Sequence, residues 1–341
     1  MSEKTQHRVH SDELCAALER VLERRVITLR RRRSRYASSY AIENLEVVLV
    51  AGGTPLRLVF KDSNPAAAHP AAHNIRPVFI HHPAREIEVY RKILNPAQHG
   101  TPHYHGAVNE PEKGRHWLFL ERVRGPLLWQ VGDLKHWENA ARWLAELHSL
   151  SPGAPQHSSA TRKAAIRACK SLLHHDSDFF FVWMKRAEKF IARQKSVETR
   201  RFTRLVRRYD RVIARLAALP TTFIHGEFYP SNAIVRPASS KQKICVIDWE
   251  VAGIGPGALD LAALAAGEWS DSEKQRFAKA YREGLNSSRA PSVAELFEAM
   301  KLCQLHLSVQ MLGWAEEWSP PTRHARNWLR EALRLAEKLD L

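Results

Sequence analysis

The sequence predicts an α+β chain in two parts: a small antiparallel sheet with one helix, then a mainly helical part with a β insert. Three observations predict this. Strand-like apolar runs crowd into residues 26–62 and return at 117–123. Helical apolar spacing dominates beyond residue 133. The composition changes near Arg122–Gly125, which puts the boundary between parts 1–122 and 123–341.

Taken in order, residues 11–25 carry Leu14, Leu18, Val21 and Leu22 at helical spacing, with Ser11 or Asp12 as the cap. Val26–Leu29, Leu45–Val50 and Leu56–Lys61 read as strands, and Ala51-Gly52-Gly53-Thr54-Pro55 as the hairpin turn joining the last two. A loop rich in Pro, Ala and His runs from Asp62 to Pro83, and an amphipathic helix follows over 84–94. Trp117–Val123 is an apolar strand entering a connector. In the second part, residues 133–150 carry Trp137, Ala141, Leu144, Leu147 and His148 at helical spacing. Residues 158–218 predict two or three long, basic, amphipathic helices. Residues 222–248 read as a β-hairpin region, and helices return from Leu259 to the C-terminus.

The chain has 341 residues, 44% hydrophobic and 26% charged, enough to bury a sizeable core. No run of 18 apolar residues predicts a membrane span, and the polar start MSEKTQHRVHSDEL lacks a signal core. Cys15, Cys169, Cys245 and Cys303 are far apart with no metal spacing; they read as reduced structural thiols, which suits the cytoplasm. The formal charge of +16 suits an anionic partner or a nucleotide and suits a polycationic substrate poorly. Part of it is local, in Arg24-Arg25 and Arg30–Arg33. Only Tyr36 and Tyr40 follow that block as aromatics, so nucleic acid is not the expected main partner.

The chemistry concentrates in His225-Gly226-Glu227-Phe228-Tyr229-Pro230-Ser231-Asn232 and, sixteen residues after Asn232, in Asp248 at the end of an apolar strand. This is the spacing of a phosphoryl-transfer site, where positioning and charge neutralisation dominate. Asn232 offers an amide oxygen and Asp248 a carboxylate, both hard ligands suited to Mg²⁺. Glu227 stands where a carboxylate would orient an acceptor hydroxyl and take its proton. Lys61 ends an apolar strand and is placed for phosphate contact, with Glu86 on the following helix as its brace. Glu88, about 200° further round that helix, is expected to be solvated. Leu120-Glu121-Arg122-Val123 is placed as a hinge whose backbone would bind adenine.

These residues resemble the aminoglycoside phosphotransferase and choline kinase-like family, which has the protein-kinase-like fold. His225-Gly226-Glu227 to Asn232 resembles its His-Gly-Asp-x-x-x-x-Asn loop, and Ile247-Asp248-Trp249-Glu250 its metal-binding Ile-Asp-Trp-Glu element. Gly255–Ala262 resembles its Gly-x-Pro…Asp-Leu-Ala segment, and Trp143–His148 its helix ending in Leu-x-x-Leu-His. The resemblance runs from about residue 28 to about 335. It implies a two-lobed fold and an ATP- and Mg²⁺-dependent kinase acting on a small molecule such as an amino sugar or amino alcohol. It departs in two places. Glu227 replaces Asp, in chemistry where ~1 Å of misplacement costs ~100-fold. The nucleotide-covering loop Arg35–Tyr40 lacks glycine, leaving Ser38 and Ser39 to hydrogen-bond phosphates.

Each residue also has a plainer reading. Asp248 at a strand end is commonly a turn residue, Lys61 a surface lysine, and Glu227 a structural or substrate-binding group. His225 and His148 are expected to be structural, and Asp260 a helix-start cap. His81, His82, His103 and His105 read as loop residues. Trp269, Trp314, Trp318 and Trp328 read as core, with Trp314, near Glu316 and Glu317, the candidate for pocket lining. The expected function is transfer of the ATP γ-phosphoryl group to a hydroxyl of a neutral or anionic metabolite. The alternatives are a nucleotide-binding pseudokinase with a regulatory or scaffold role, and an RNA-binding protein.

Overall fold

The structure, a computed structural model, describes residues 9–34, 40, 42–50, 52–67, 77–95, 100–149, 160–237, 239–240, 243–285, 290–314 and 327–341. It divides into two compact units. One comprises Met1–Arg124 with Cys245–Glu250; the other comprises Gly125–Ile244 with Val251–Leu341. The segment around Asp248 thus belongs with the N-terminal unit, although it lies far along the chain.

The first unit is built on a five-stranded antiparallel sheet in the order β1-β2-β3-β5-β4. Its strands are β1 (Val26–Arg33), β2 (Ile42–Leu49), β3 (Leu56–Asp62), β4 (Tyr104–Glu110) and β5 (Arg115–Glu121). Alternation along the strands turns Leu45, Val47, Leu58, Phe60, Trp117 and Phe119 to one face, and helix α1 (Ser11–Leu22) covers it with Leu14, Ala17 and Leu18. Lys61, next to Phe60 in β3, is thereby turned the other way. The helix expected over 84–94 is α-helical as α2 (Arg85–Val89) and widens into a π-helical turn at Tyr90–Leu94. Such turns recur at functional positions.

The basic block is partly internal. Arg31 makes two 2.7 Å hydrogen bonds to Glu43 and a third, at 2.8 Å, to the Val9 carbonyl. Arg31 and Glu43 side chains are only 5% and 6% exposed, so the pair ties the chain entering α1 to the sheet. His105 lies in strand β4 rather than in a loop, with its ring edge-on to His103.

The second unit is mainly helical. Its elements are α3 (Leu134–His148), α4 (Ala160–Ala168), α5 (Ser177–Ile191), α6 (Val197–Val206), α7 (Tyr209–Ala217), α8 (Gly257–Leu264), α9 (Asp271–Gly284), α10 (Val293–Trp314) and α11 (Trp328–Lys338). Among the described residues of the region 158–218 there are therefore four helices instead of two or three long ones. Asp176 and Ser196 restart the helix by capping α5 and α6 through the Phe179 and Thr199 amides. A three-stranded sheet orders β6 (Leu173–His174), β10 (Gly253–Pro256) and β7 (Thr221–Ile224). Strand β8 (Ala233–Val235) follows the loop after β7, and β9 (Ile244–Val246) leads the chain into the 245–250 segment of the first unit. Trp269 packs edge-on against Trp137 and Phe277, and half-buried Trp314 packs against Trp183. Trp318, Glu316 and Glu317 lie outside the described residues. Among the described residues the four cysteines are free, and no helix is long and apolar enough to cross a membrane.

Candidate active site

In the N-terminal unit, Lys61 is the centre of a cluster of three carboxylates. Its Nζ lies 2.7 Å from Glu86 Oε2, 2.8 Å from Asp248 Oδ1, and in contact with Glu250 Oε1. Lys61, Glu86 and Glu250 are buried; the Asp248 side chain keeps 28% exposure. Burial alone would push the Lys61 pKa down. The charges of Asp248, Glu250 and Glu86 outweigh it and hold the ammonium well above its ordinary value. Glu86 is pushed up to about 7, first by burial and then by repulsion from Asp248 and Glu250, which the attraction of Lys61 only partly offsets.

The cluster is held from two directions. The Trp249 amide donates to Glu86 Oε1 at 3.1 Å, and the Trp249 indole donates to the Val246 carbonyl at 3.3 Å. Buried Arg85 donates to the carbonyls of Glu250 at 2.6 Å and of Ile80 at 2.7 Å. The first turn of α2 thus fixes the segment 248–250 through both of its leading residues. Asp248 adopts a positive φ of 68°, which aspartate tolerates better than bulky side chains. Glu88 turns away and pairs with Lys92 at 2.5 Å, half-buried rather than fully solvated.

Glu86, Asp248 and Glu250 bring carboxylate oxygens within 4.8 Å of one another. A divalent cation suits this hard, anionic donor set. Glu250 joins the cluster although the motif spacing assigns it no role. Its position two residues after Asp248 in the Ile247-Asp248-Trp249-Glu250 element is the sequence signal for it. Arg85 gave no comparable signal.

In the segment expected as a hinge, the Glu121 amide donates to the His103 carbonyl at 2.8 Å, and Glu121 Oε2 accepts the His103 amide at 3.1 Å. The Glu121 amide is committed within the protein. Ser38 and Ser39 lie outside the described residues.

In the C-terminal unit, the loop after β7 is built on Asp260. The expectation of a helix-start cap is corrected: Pro256 is the N-cap of α8, and Asp260 lies inside the helix. Its fully buried carboxylate accepts the amides of His225 at 2.7 Å on Oδ2 and Gly226 at 2.8 Å on Oδ1. His148 Nε2 lies 3.3 Å from the same carboxylate, and its Nδ1 lies 2.7 Å from the Tyr281 hydroxyl. Burial would raise the Asp260 pKa; the hydrogen bond and charge of His148, with His225, bring it below the ordinary value.

The loop then folds on itself. The Glu227 amide donates to His225 Nδ1 at 3.2 Å, which makes Nδ1 the unprotonated ring nitrogen. Asn232 Nδ2 donates to the Glu227 carbonyl at 3.0 Å, so its Oδ1 is the atom left to offer a ligand. Phe228 stacks on Trp143 and meets the His225 ring edge-on. Gly226 has φ +86°, and a Cβ there would lie 2.5 Å from the Val251 carbonyl oxygen. The main chain of Glu227 is therefore fixed on both sides, while its side chain is half-buried.

The phosphotransferase enzyme family profile matches residues 41–297. The chain belongs to this family of phosphotransferases, whose fold is protein-kinase-like. The chain is similar in fold to a Ralstonia eutropha JMP134 protein assigned as an aminoglycoside phosphotransferase, at 14% identity, TM-score 0.63, and coverage of 97% of this chain and 99% of that one. Choline kinase from Cryptosporidium parvum Iowa II aligns at 11% identity and TM-score 0.57, over 92% and 88% of the two chains. The GDP complex of wild-type aminoglycoside 2'-phosphotransferase-IIIa aligns at 13% identity and TM-score 0.56, over 92% and 93%. No curated protein sequence matches.

Proposed function

We propose that this chain is an ATP-dependent small-molecule kinase that transfers the γ-phosphoryl group to a hydroxyl of a neutral or anionic metabolite. The observation that carries the reading is Lys61, buried and held within 2.8 Å of both Glu86 and Asp248. A lysine fixed between a helix carboxylate and a strand-end carboxylate is the arrangement that presents a cation to nucleotide phosphates. The GDP-bound relative and the choline kinase named above are in keeping with a nucleotide donor and a small acceptor.

In this reading the nucleotide is bound by residues 1–122 and the acceptor by residues 123–341. Lys61, braced by Glu86, orients the phosphates; Ser38 and Ser39 cover them; Glu121 and Val123 border the base. Asp248 and Asn232 would hold Mg²⁺, with Glu250 available beside Asp248. Bound there, the cation supplies charge neutralisation on the phosphates. Glu227 positions the acceptor hydroxyl and accepts its proton. The working compartment is the cytoplasm.

A second reading, a nucleotide-binding pseudokinase, draws on the extra methylene of Glu227. The two are separated by measuring nucleotide affinity and turnover together on the purified chain, with a panel of hydroxyl-bearing metabolites. Turnover on one acceptor, with nucleotide affinity lost in Lys61→Met, supports the kinase. Nucleotide binding without turnover on any acceptor supports the pseudokinase.

A further inference from the structure

The excess positive charge is concentrated in one stretch of the chain. Between residues 185 and 218 the chain has twelve Lys and Arg against three Asp and Glu, a surplus of nine out of the chain's sixteen. Within α6 and α7 every cation is arginine. Arg200, Arg204 and Arg207 fall within about 60° of one another around α6 and its C-terminal cap. Arg208 and Arg211 continue at i,i+3 spacing into α7.

All five are exposed, and none has an acidic partner among the described residues. Their neighbours show the contrast: Arg201 is engaged by Glu337, and Arg215 donates to the Leu339 carbonyl at 3.3 Å. The apolar side of both helices is spent on the fold. Phe202, Leu205, Tyr209, Val212 and Leu216 are buried, as α6 packs on α11 and α7 packs on α5.

We propose that this arginine face binds the phosphate backbone of a nucleic-acid duplex, independently of the phosphotransferase reading. The guanidinium fork matches phosphate geometry in a way that an ammonium does not. A membrane surface would call for several apolar side chains to insert beside the cations, and in α6 and α7 only Val197, at the start of α6, is a large apolar side chain left exposed. Single strands are held chiefly by stacking on exposed aromatics, and the two aromatics here, Phe202 and Tyr209, are buried. Arg200 to Arg207 span about 10 Å along α6 and its cap, over which a duplex offers about six charges. The N-terminal block is the weaker candidate because Arg31 is consumed by Glu43.

The test is fluorescence anisotropy of the full chain with labelled 20-base-pair RNA and DNA duplexes, from 50 to 200 mM salt. With about five phosphates neutralised, affinity should fall about 500-fold over that range. The variant Arg204→Gln/Arg207→Gln/Arg211→Gln, with an unchanged melting curve, should reduce that fall to about tenfold. A control, Arg30→Gln/Arg32→Gln/Arg33→Gln, should leave the salt dependence as in the wild type. Binding of either duplex with this pattern supports the proposal. It is overturned by absence of duplex binding at 50 mM salt, by a triple variant with unaltered salt dependence, by loss in the control instead, or by equal or tighter binding to phosphatidylserine vesicles or polyglutamate.

Discussion

Asp260 accepts the backbone amide of Gly226 at 2.8 Å, so a carboxylate inside a helix fixes the main chain that presents Glu227. Its other oxygen takes the His225 amide at 2.7 Å. Two charge-assisted hydrogen bonds to one fully buried group are each worth about 1.5–3 kcal/mol. Asp260→Ala should therefore lower the stability of the C-terminal unit by about 3 kcal/mol or more, measured by urea denaturation. Asp260→Asn, which keeps one carbonyl acceptor, should fall between. Equal midpoints for the wild type and Asp260→Ala would contradict this role.

The Gly226 backbone is the most constrained point of the loop. Gly226→Ala combines a left-handed φ with a Cβ placed 2.5 Å from the Val251 carbonyl oxygen. Backbone strain of about 1–3 kcal/mol is expected. Displacement of Glu227 by ~1 Å should lower phosphoryl transfer ~100-fold while nucleotide affinity is retained. Comparing kcat with the nucleotide Kd of the variant checks the split.

Lys61 is in contact with all three carboxylates of its cluster. Lys61→Met should destabilise the N-terminal unit by about 3–5 kcal/mol, since it leaves buried acids facing one another. Adding Glu250→Gln to that variant should restore about 1–3 kcal/mol, a coupling read from a double-mutant cycle. Strict additivity of the two substitutions would show that Glu250 and Lys61 do not interact.

A pH effect is expected from His306, which is fully buried on α10 beside Phe180, with Nδ1 3.2 Å from the Tyr209 hydroxyl. Burial, with the nearby His175, pushes its pKa down to about 3. The unfolded chain then binds more protons than the folded chain, so stability rises with pH in this window. The contribution is fully present above pH ~6.5 and is lost progressively as pH falls towards 3. Melting temperatures of wild type and His306→Gln from pH 4 to 8 check it: the wild type should lose more on acidification than the variant.

Much of this was legible in the sequence because the chemistry sits in short, spaced motifs. Lys61 and Glu86 were placed by a strand followed by an amphipathic helix, and the structure brings them to 2.7 Å. What was illegible depends on contacts far apart in sequence. The role of Asp260 needed His148 and the loop amides, from segments 112 and 35 residues away. The two-residue strand Leu173–His174 is too short to carry a periodicity. The four helices between 160 and 217 read as fewer because their amphipathic faces run on across the breaks, although the caps Asp176 and Ser196 were visible.

The central claim concerns Glu227, and γ-phosphoryl transfer from labelled ATP across a panel of hydroxyl metabolites tests it most directly. Wild type should label at least one acceptor. Glu227→Gln should reduce that rate by about 10²–10⁴ with the ATP Kd within about twofold. ATP binding with no acceptor labelled, unaltered by Glu227→Gln, would contradict the account.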